Sequence, residues 1–145
     1  MNVLYPAIFA YDRTDKRYTV RFPDLPEAIT EGETLEEALF NASEVLTLTL
    51  EGRVDEDMKI PMPSHRKSAK LIAPSARAQA ALLMRWAKGE HTTAEIARTL
   101  NTSWPAVARL EDPHHWPNLK QLERAAAAVG QRLVISLEPI SSDMK

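Results

Sequence analysis

The sequence predicts a mixed α+β protein: a β-β-β-α-β module followed by a helical domain that ends in a short β-strand. Three observations carry this. Residues 3–22 hold two runs of β-forming residues separated by a polar turn. Residues 35–50 show apolar residues at helical spacing behind a capping signal. Beyond Pro74-Ser75 the pattern changes to several short helical stretches, each with its own start and stop residues. At 145 residues the chain is long enough for two small domains, and the change of pattern divides it into 1–73 and 74–145.

In the first strand, residues 3–12, Ile8 and Ala10 alternate with Phe9 and Tyr11. Pro6 lacks an amide donor and suits an edge or a strand's beginning. Residues 12–16 are a polar turn. Tyr18, Val20 and Phe22 then alternate with Arg17, Thr19 and Arg21, as in a half-buried antiparallel strand. Pro23-Asp24-Leu25-Pro26 breaks that strand, because the prolines remove donors and restrict their predecessors. A short third strand is predicted at 28–30. Gly32 turns the chain, and Thr34-Leu35-Glu36-Glu37 is a capping box. The helix behind it runs to about Leu50, with Gly52 as its stop. Residues 60–64, Ile-Pro-Met-Pro-Ser, form an extended connector, and 69–73 a fourth strand.

Ser75 is placed to cap a helix over 76–88, which Gly89 ends. Thr92 and Glu95 make a second capping box, opening a short helix with Ile96, Ala97 and Leu100 on its apolar face. Asn101 tolerates left-handed geometry at that helix's end. Ser103 caps a third helix, with Trp104 and Pro105 in its first turn and Val107 and Leu110 facing inward. A loop over 111–117 leads to a helix at 119–129, stopped by Gly130. Residues 132–137 alternate like a strand.

The net charge of −2 averages two unlike parts. Residues 1–57 carry thirteen Asp and Glu against five Lys and Arg, a balance of −8. Residues 58–145 carry thirteen Lys and Arg against seven acids, a balance of +6. Such a division predicts two surfaces for two kinds of partner. The absence of cysteine excludes disulfides and thiol chemistry. There is neither a signal-peptide pattern nor an apolar run of the roughly 18 residues that span a bilayer, so a soluble, cytoplasmic protein is expected. His65, His91, His114 and His115 lack metal-ligand spacing. No phosphate-binding loop or activated nucleophile is apparent. A binding protein without cofactor or metal is therefore expected, rather than an enzyme.

Residues 18–38, Tyr-Thr-Val-Arg-Phe-Pro-Asp-Leu-Pro-Glu-Ala-Ile-Thr-Glu-Gly-Glu-Thr-Leu-Glu-Glu-Ala, followed by Ile-Pro-Met-Pro-Ser at 60–64, resemble the signature of the HicB antitoxins. The resemblance implies a partial RNase H-like module over 1–73 without that fold's catalytic acids. It also implies a HicA-type partner, a small basic ribonuclease that cuts mRNA. The acidic residues Asp24, Glu27, Glu31 and Glu33 are then the candidates for contact with the toxin.

Residues 76–137, with Glu-Ile-Ala-Arg-Thr-Leu-Asn-Thr-Ser-Trp-Pro-Ala-Val-Ala-Arg-Leu at 95–110, resemble an Xre/Cro-like repressor domain. Ala97 is small enough for two helices to approach, and Val107 and Leu110 anchor the second helix. By position in the motif, Ser103, Trp104, Pro105, Ala108 and Arg109 face DNA, with Thr93 a phosphate contact. Asn101 and Thr102 stand where Gly and an apolar residue are usual, and Trp104-Pro105 where Gln often opens the helix. Ser103 and Arg109 are thus the polar readers, Arg109 of guanine or phosphate. Trp104 either packs on the DNA or turns inward. Operator DNA is the implied second partner, and a homodimer or higher oligomer through the C-terminal domain is expected because such motifs bind paired half-sites. The strand at 132–137 is suited to pairing across a two-fold axis. The rival reading is a stand-alone repressor whose first domain senses a ligand or protein.

Overall fold

A computed structural model describes residues 1–140 of the chain. It separates into two compact units, one built on residues 3–75 and the other on residues 76–138. The expected second domain continued to residue 145, and 141–145 lie outside the described residues.

The first unit opens with a hairpin. Strand β1 (Tyr5–Asp12) pairs antiparallel with β2 (Arg17–Phe22), from Ile8↔Arg21 to Asp12↔Arg17. Asp12 Oδ1 accepts from the Thr14 and Asp15 amides, and Lys16 adopts a positive φ of 52°, which together close the turn. A two-residue turn at Pro23-Asp24 leads directly into β3 (Leu25–Gly32), with Phe22 opposite Leu25. The third strand is therefore longer than the 28–30 predicted and contains Pro26. The sheet order β3-β2-β1-β4 explains why: β3 is an edge strand, where a missing donor is tolerated. A register shift between Arg21 and Phe22 absorbs the extra residues. Strand β4 (Lys70–Ile72) returns beside β1, pairing Tyr5↔Ile72, at the position predicted for a fourth strand.

Helix α1 (Leu35–Asp55) covers one face of this sheet. Thr34 Oγ1 accepts from the Glu37 amide at 3.1 Å, but Glu37 does not return the bond, so only half of the predicted capping box forms. The helix also runs past its predicted stop, straight through Gly52. It ends instead at Asp55, with Glu56 as its cap and Asp57 beyond it at a φ of 55°. The Met58 amide donates to Arg53 O and the Asp57 amide to Val54 O, a Schellman closure built on Asp where Gly is usual. Ala38, Ala42, Leu46 and Leu50 of α1 pack onto the Tyr5, Ala7, Val20, Phe22, Leu25 and Ala28 core.

The second unit comprises α2 (Ala76–Lys88), α3 (Thr93–Leu100), α4 (Trp104–Ala108) with a 3-10 turn at Arg109–Glu111, and α5 (Leu119–Ala128). Thr92 and Glu95 complete the capping box of α3, and Asn118 and Gln121 complete a second one at α5. Gly89, Asn101 and Gly130 take positive φ at the ends of α2, α3 and α5. Ile96, Ala97, Val107 and Val129 form one buried cluster, and Met84, Leu110 and Ala125 another.

The strand predicted at 132–137 does not form. Residues 131–139 have no regular structure, and Val134, Ile135 and Leu137 are exposed, Leu137 at 99%. A strand needs a neighbouring backbone, and none is available to this segment within its own unit.

Candidate functional site

Two surfaces hold the predicted site residues. On the first unit, the four acids chosen as toxin contacts already have partners. Glu27 on β3 receives the Arg53 guanidinium of α1 through both oxygens, at 2.7 and 2.9 Å, and Arg53 also donates to Lys59 O. The pairing lowers the Glu27 carboxyl below its ordinary range, chiefly through the Arg53 hydrogen bonds. Glu31 and Glu33 both flank Arg17, at 3.1 and 3.2 Å. Asp24 Oδ2 accepts from the Ser64 amide at 2.8 Å. These residues tie strand to strand, sheet to helix, and turn to connector. Composition alone showed carboxylates but not the arginines opposite them.

The unit has a different outward face that sequence reasoning passed over. Glu36, Phe40, Glu44 and Leu48 recur every four residues along α1 and point away from the sheet. Phe40 is 59% exposed and Leu48 66%. Glu36, Glu37 and Glu44 form no ion pair among the described residues. The signal was present as two apolar residues on the polar side of an otherwise regular amphipathic helix.

On the second unit, α3 and α4 join through residues 101–103. Asn101 closes α3, with the Thr102 amide donating to Ala97 O at 2.9 Å. Ser103 Oγ accepts from the Ala106 amide at 3.3 Å, so its first role is to cap α4. Trp104 is 57% exposed, which removes the inward-packing option, and Pro105 beside it is exposed too. Val107 and Leu110 are buried, as predicted, and hold this short helix by its opposite side. Ala108 is half-buried. Arg109 is exposed and makes no ion pair among the described residues.

Thr93 is half-buried, and its Oγ1 accepts from Lys88 Nζ at 3.0 Å. Lys88 also pairs with Glu111 at 3.2 Å, which joins the end of α2, the start of α3 and the 3-10 turn. The Thr93 hydroxyl is thus partly committed. His91 sits 3.7 Å from Glu95 and His114 and His115 lie in the loop before α5.

The charge division shifts once the units are known. Lys59, Arg66, Lys67 and Lys70 belong to the first unit. Residues 3–75 thus carry nine bases against thirteen acids, a balance of −4, and residues 76–138 eight against six, a balance of +2. The contrast between units is milder than the contrast between sequence halves. No helix among the described residues is long and apolar enough to cross a membrane.

Residues 4–73 match the model of the HicB-like antitoxin of bacterial toxin-antitoxin systems. "Antitoxin HicB 2" of Photorhabdus laumondii is 33% identical over 91% of this chain and 94% of its own length. "Antitoxin HicB" of Escherichia coli is 31% identical over 80% of this chain and 86% of its own. Among solved structures, a chain of a toxin-antitoxin complex from Streptococcus pneumoniae is 43% identical over 45% of this chain and 46% of that one, with a TM-score of 0.41. The chain belongs to the HicB-like antitoxin family.

Proposed function

We propose that the first unit neutralises a HicA-type, mRNA-cleaving toxin and that the second binds operator DNA to repress the antitoxin's own operon. Family membership supports the first half of this reading. The observation that carries the second is the exposure of Ser103, Trp104, Pro105 and Arg109 on one side of α4, while Val107 and Leu110 anchor its other side. That is the arrangement a helix-turn-helix needs to enter the major groove. Arg109 reads guanine or grips phosphate, Ser103 retains a hydroxyl proton to donate, and Trp104 packs on a thymine methyl or sugar. Thr93, at the start of α3, offers its backbone N–H to a phosphate. Ala108, half-buried, lets the groove approach closely.

For toxin contact, Asp24, Glu27, Glu31 and Glu33 offer carboxylates alongside their internal bonds, and the α1 stripe of Phe40 and Leu48 among Glu36, Glu37 and Glu44 adds a docking face. Its acids complement a basic RNA-binding groove, and its apolar pair supplies the area that charge alone does not. The protein works as a homodimer through its C-terminal unit, with residues 132–137 of two copies pairing as strands. The partial RNase H-like relationship of the first unit is a matter of fold and brings no catalysis.

Two experiments test the reading. Co-expression of the chain with the cognate toxin restores growth, and Phe40→Asp with Leu48→Asp abolishes the rescue. Gel shifts show binding to the promoter region of its own gene, which Arg109→Ala weakens. Growth arrest in the presence of the intact chain overturns the first half, and no shift overturns the second.

A further inference from the structure

Helix α4 has five residues, too few to hold its own orientation. Val107 and Leu110 fasten it to the core, but apolar packing is not directional. The direction comes from Glu111, which closes the 3-10 turn two residues after Arg109. Its carbonyl accepts from Arg85 Nε at 2.9 Å, and its carboxylate pairs with Lys88 Nζ at 3.2 Å. Arg85 and Lys88 both stand in the last turn of α2, where the helix dipole favours cations. Lys88 Nζ also donates to Thr93 Oγ1 at 3.0 Å, in the first turn of α3. One turn of α2 thereby grips the start of α3 and the end of the segment that continues α4.

This node is shielded from water. The Glu111 side chain is 16% exposed, against 57% and 70% for Glu31 and Glu33 beside Arg17. Charge-assisted hydrogen bonds strengthen as water withdraws, so the contact fixes geometry better than a surface pair does. It also decides what Arg109 meets. Glu111 and Asp112 are the first two acids after Arg109 in the chain. Glu111 is committed to α2, and Asp112 Oδ1 accepts from the His114 amide at 2.9 Å. Arg109 keeps an exposed guanidinium, with no ion pair and no side-chain hydrogen bond among the described residues.

We infer that Glu111 is a positioning residue for base recognition: held by Arg85 and Lys88, it sets the direction in which Arg109 is presented. This rests on the operator-binding reading above and narrows it, since Arg109 then reads a guanine edge. A two-pronged contact to a base needs its fork aligned, whereas a phosphate accepts a cation from many directions. Loss of the node therefore costs sequence discrimination rather than general affinity for DNA.

The full chain is titrated with a duplex carrying its own promoter region and with a random-sequence duplex of equal length, at one salt concentration. The readout is the ratio of the two affinities. An unfolded fraction or a changed net charge alters both affinities alike and cancels in the ratio. A two-pronged base contact is worth about 5- to 150-fold in discrimination. Glu111→Gln is expected to lower the ratio roughly fivefold or more, and Lys88→Met to match it. Lys88→Arg, which keeps the cation, retains the native ratio. In a chain already carrying Arg109→Ala, Glu111→Gln lowers the ratio no further. An unchanged ratio in Glu111→Gln, while the native chain discriminates, overturns the proposal alone. So does an equal loss on both duplexes, which marks a residue that only stabilises the unit, and so does a further fall in the Arg109→Ala chain. A native chain that does not prefer its own promoter overturns this and the operator reading together.

Discussion

Gly32 and Gly52 lie in the same unit and are expected to respond to alanine in opposite directions. A Cβ at Gly32 would stand 2.5 Å from the Ala38 amide nitrogen, 2.8 Å from Ala38 Cα and 3.0 Å from the Glu37 carbonyl carbon. All three atoms belong to the backbone of the first turn of α1, where Ala38 N–H is already bonded to Thr34 O at 3.0 Å. Overpacking costs about 1–3 kcal/mol when side chains give way. Here the helix itself must lift from the end of β3, so Gly32→Ala belongs at the upper end, about 3 kcal/mol. A Cβ at Gly52 meets nothing within 4 Å. Gly52 sits inside α1, so alanine there gains helix propensity, about 1 kcal/mol. A small unit has only on the order of 5 kcal/mol to lose. Urea denaturation followed by far-UV circular dichroism measures both. All three tyrosines lie in the first unit and all three tryptophans in the second, so tyrosine near-UV signals and tryptophan fluorescence separate the two transitions. Equal midpoints for Gly32→Ala and the native chain would refute the close approach of β3 and α1, and a lower midpoint for Gly52→Ala would refute the open helical site of Gly52.

Other outcomes are expected. Glu27→Gln breaks a two-pronged but half-exposed pair and costs roughly 0.2–1 kcal/mol in the same denaturation assay. Because Arg53 lowers the Glu27 carboxyl, its stabilisation is present above the ordinary carboxylate value and is lost as pH falls below it. The difference between native and variant chains therefore shrinks below about pH 4. Arg109→Ala lowers operator affinity by about 1–3 kcal/mol if it makes a two-pronged base contact, measured by gel shift at fixed salt. If residues 132–137 of two copies pair as proposed, Leu137→Asp shifts the chain from dimer to monomer in sedimentation velocity; an unchanged dimer places the interface elsewhere.

The sequence made most local structure legible because the signals were local. Tyr18, Val20 and Phe22 announced β2 through their alternation, and Thr92, Asn101, Ser103 and Gly130 marked helix ends at the residues observed. The errors arose where the deciding neighbour was remote. Pro26 looked like a strand breaker until β3 proved to be an edge. Gly52 looked like a stop, but Leu46 and Leu50 on the core side and Arg53 bound to Glu27 continue the helix beyond it. For residues 132–137, alternation described a capacity to pair, and pairing needs a second backbone.

The site residues divide in the same way. Val107 and Leu110 were readable as anchors from their spacing alone. Exposure of Trp104 was not, because an aromatic residue at a helix start fits either side. The acids at 24, 27, 31 and 33 were visible as charges, but only the fold brings Arg53, Arg17 and the Ser64 amide to them. The exposed pair Phe40 and Leu48 became evident once α1 had a buried face to contrast with it.

The most direct test of the account is RNA cleavage by the purified cognate toxin with and without an equimolar amount of this chain. The RNA is expected to survive with the native chain and to be cut when Phe40→Asp and Leu48→Asp are introduced into a still-folded protein. Cleavage at an undiminished rate in the presence of the native chain would contradict it.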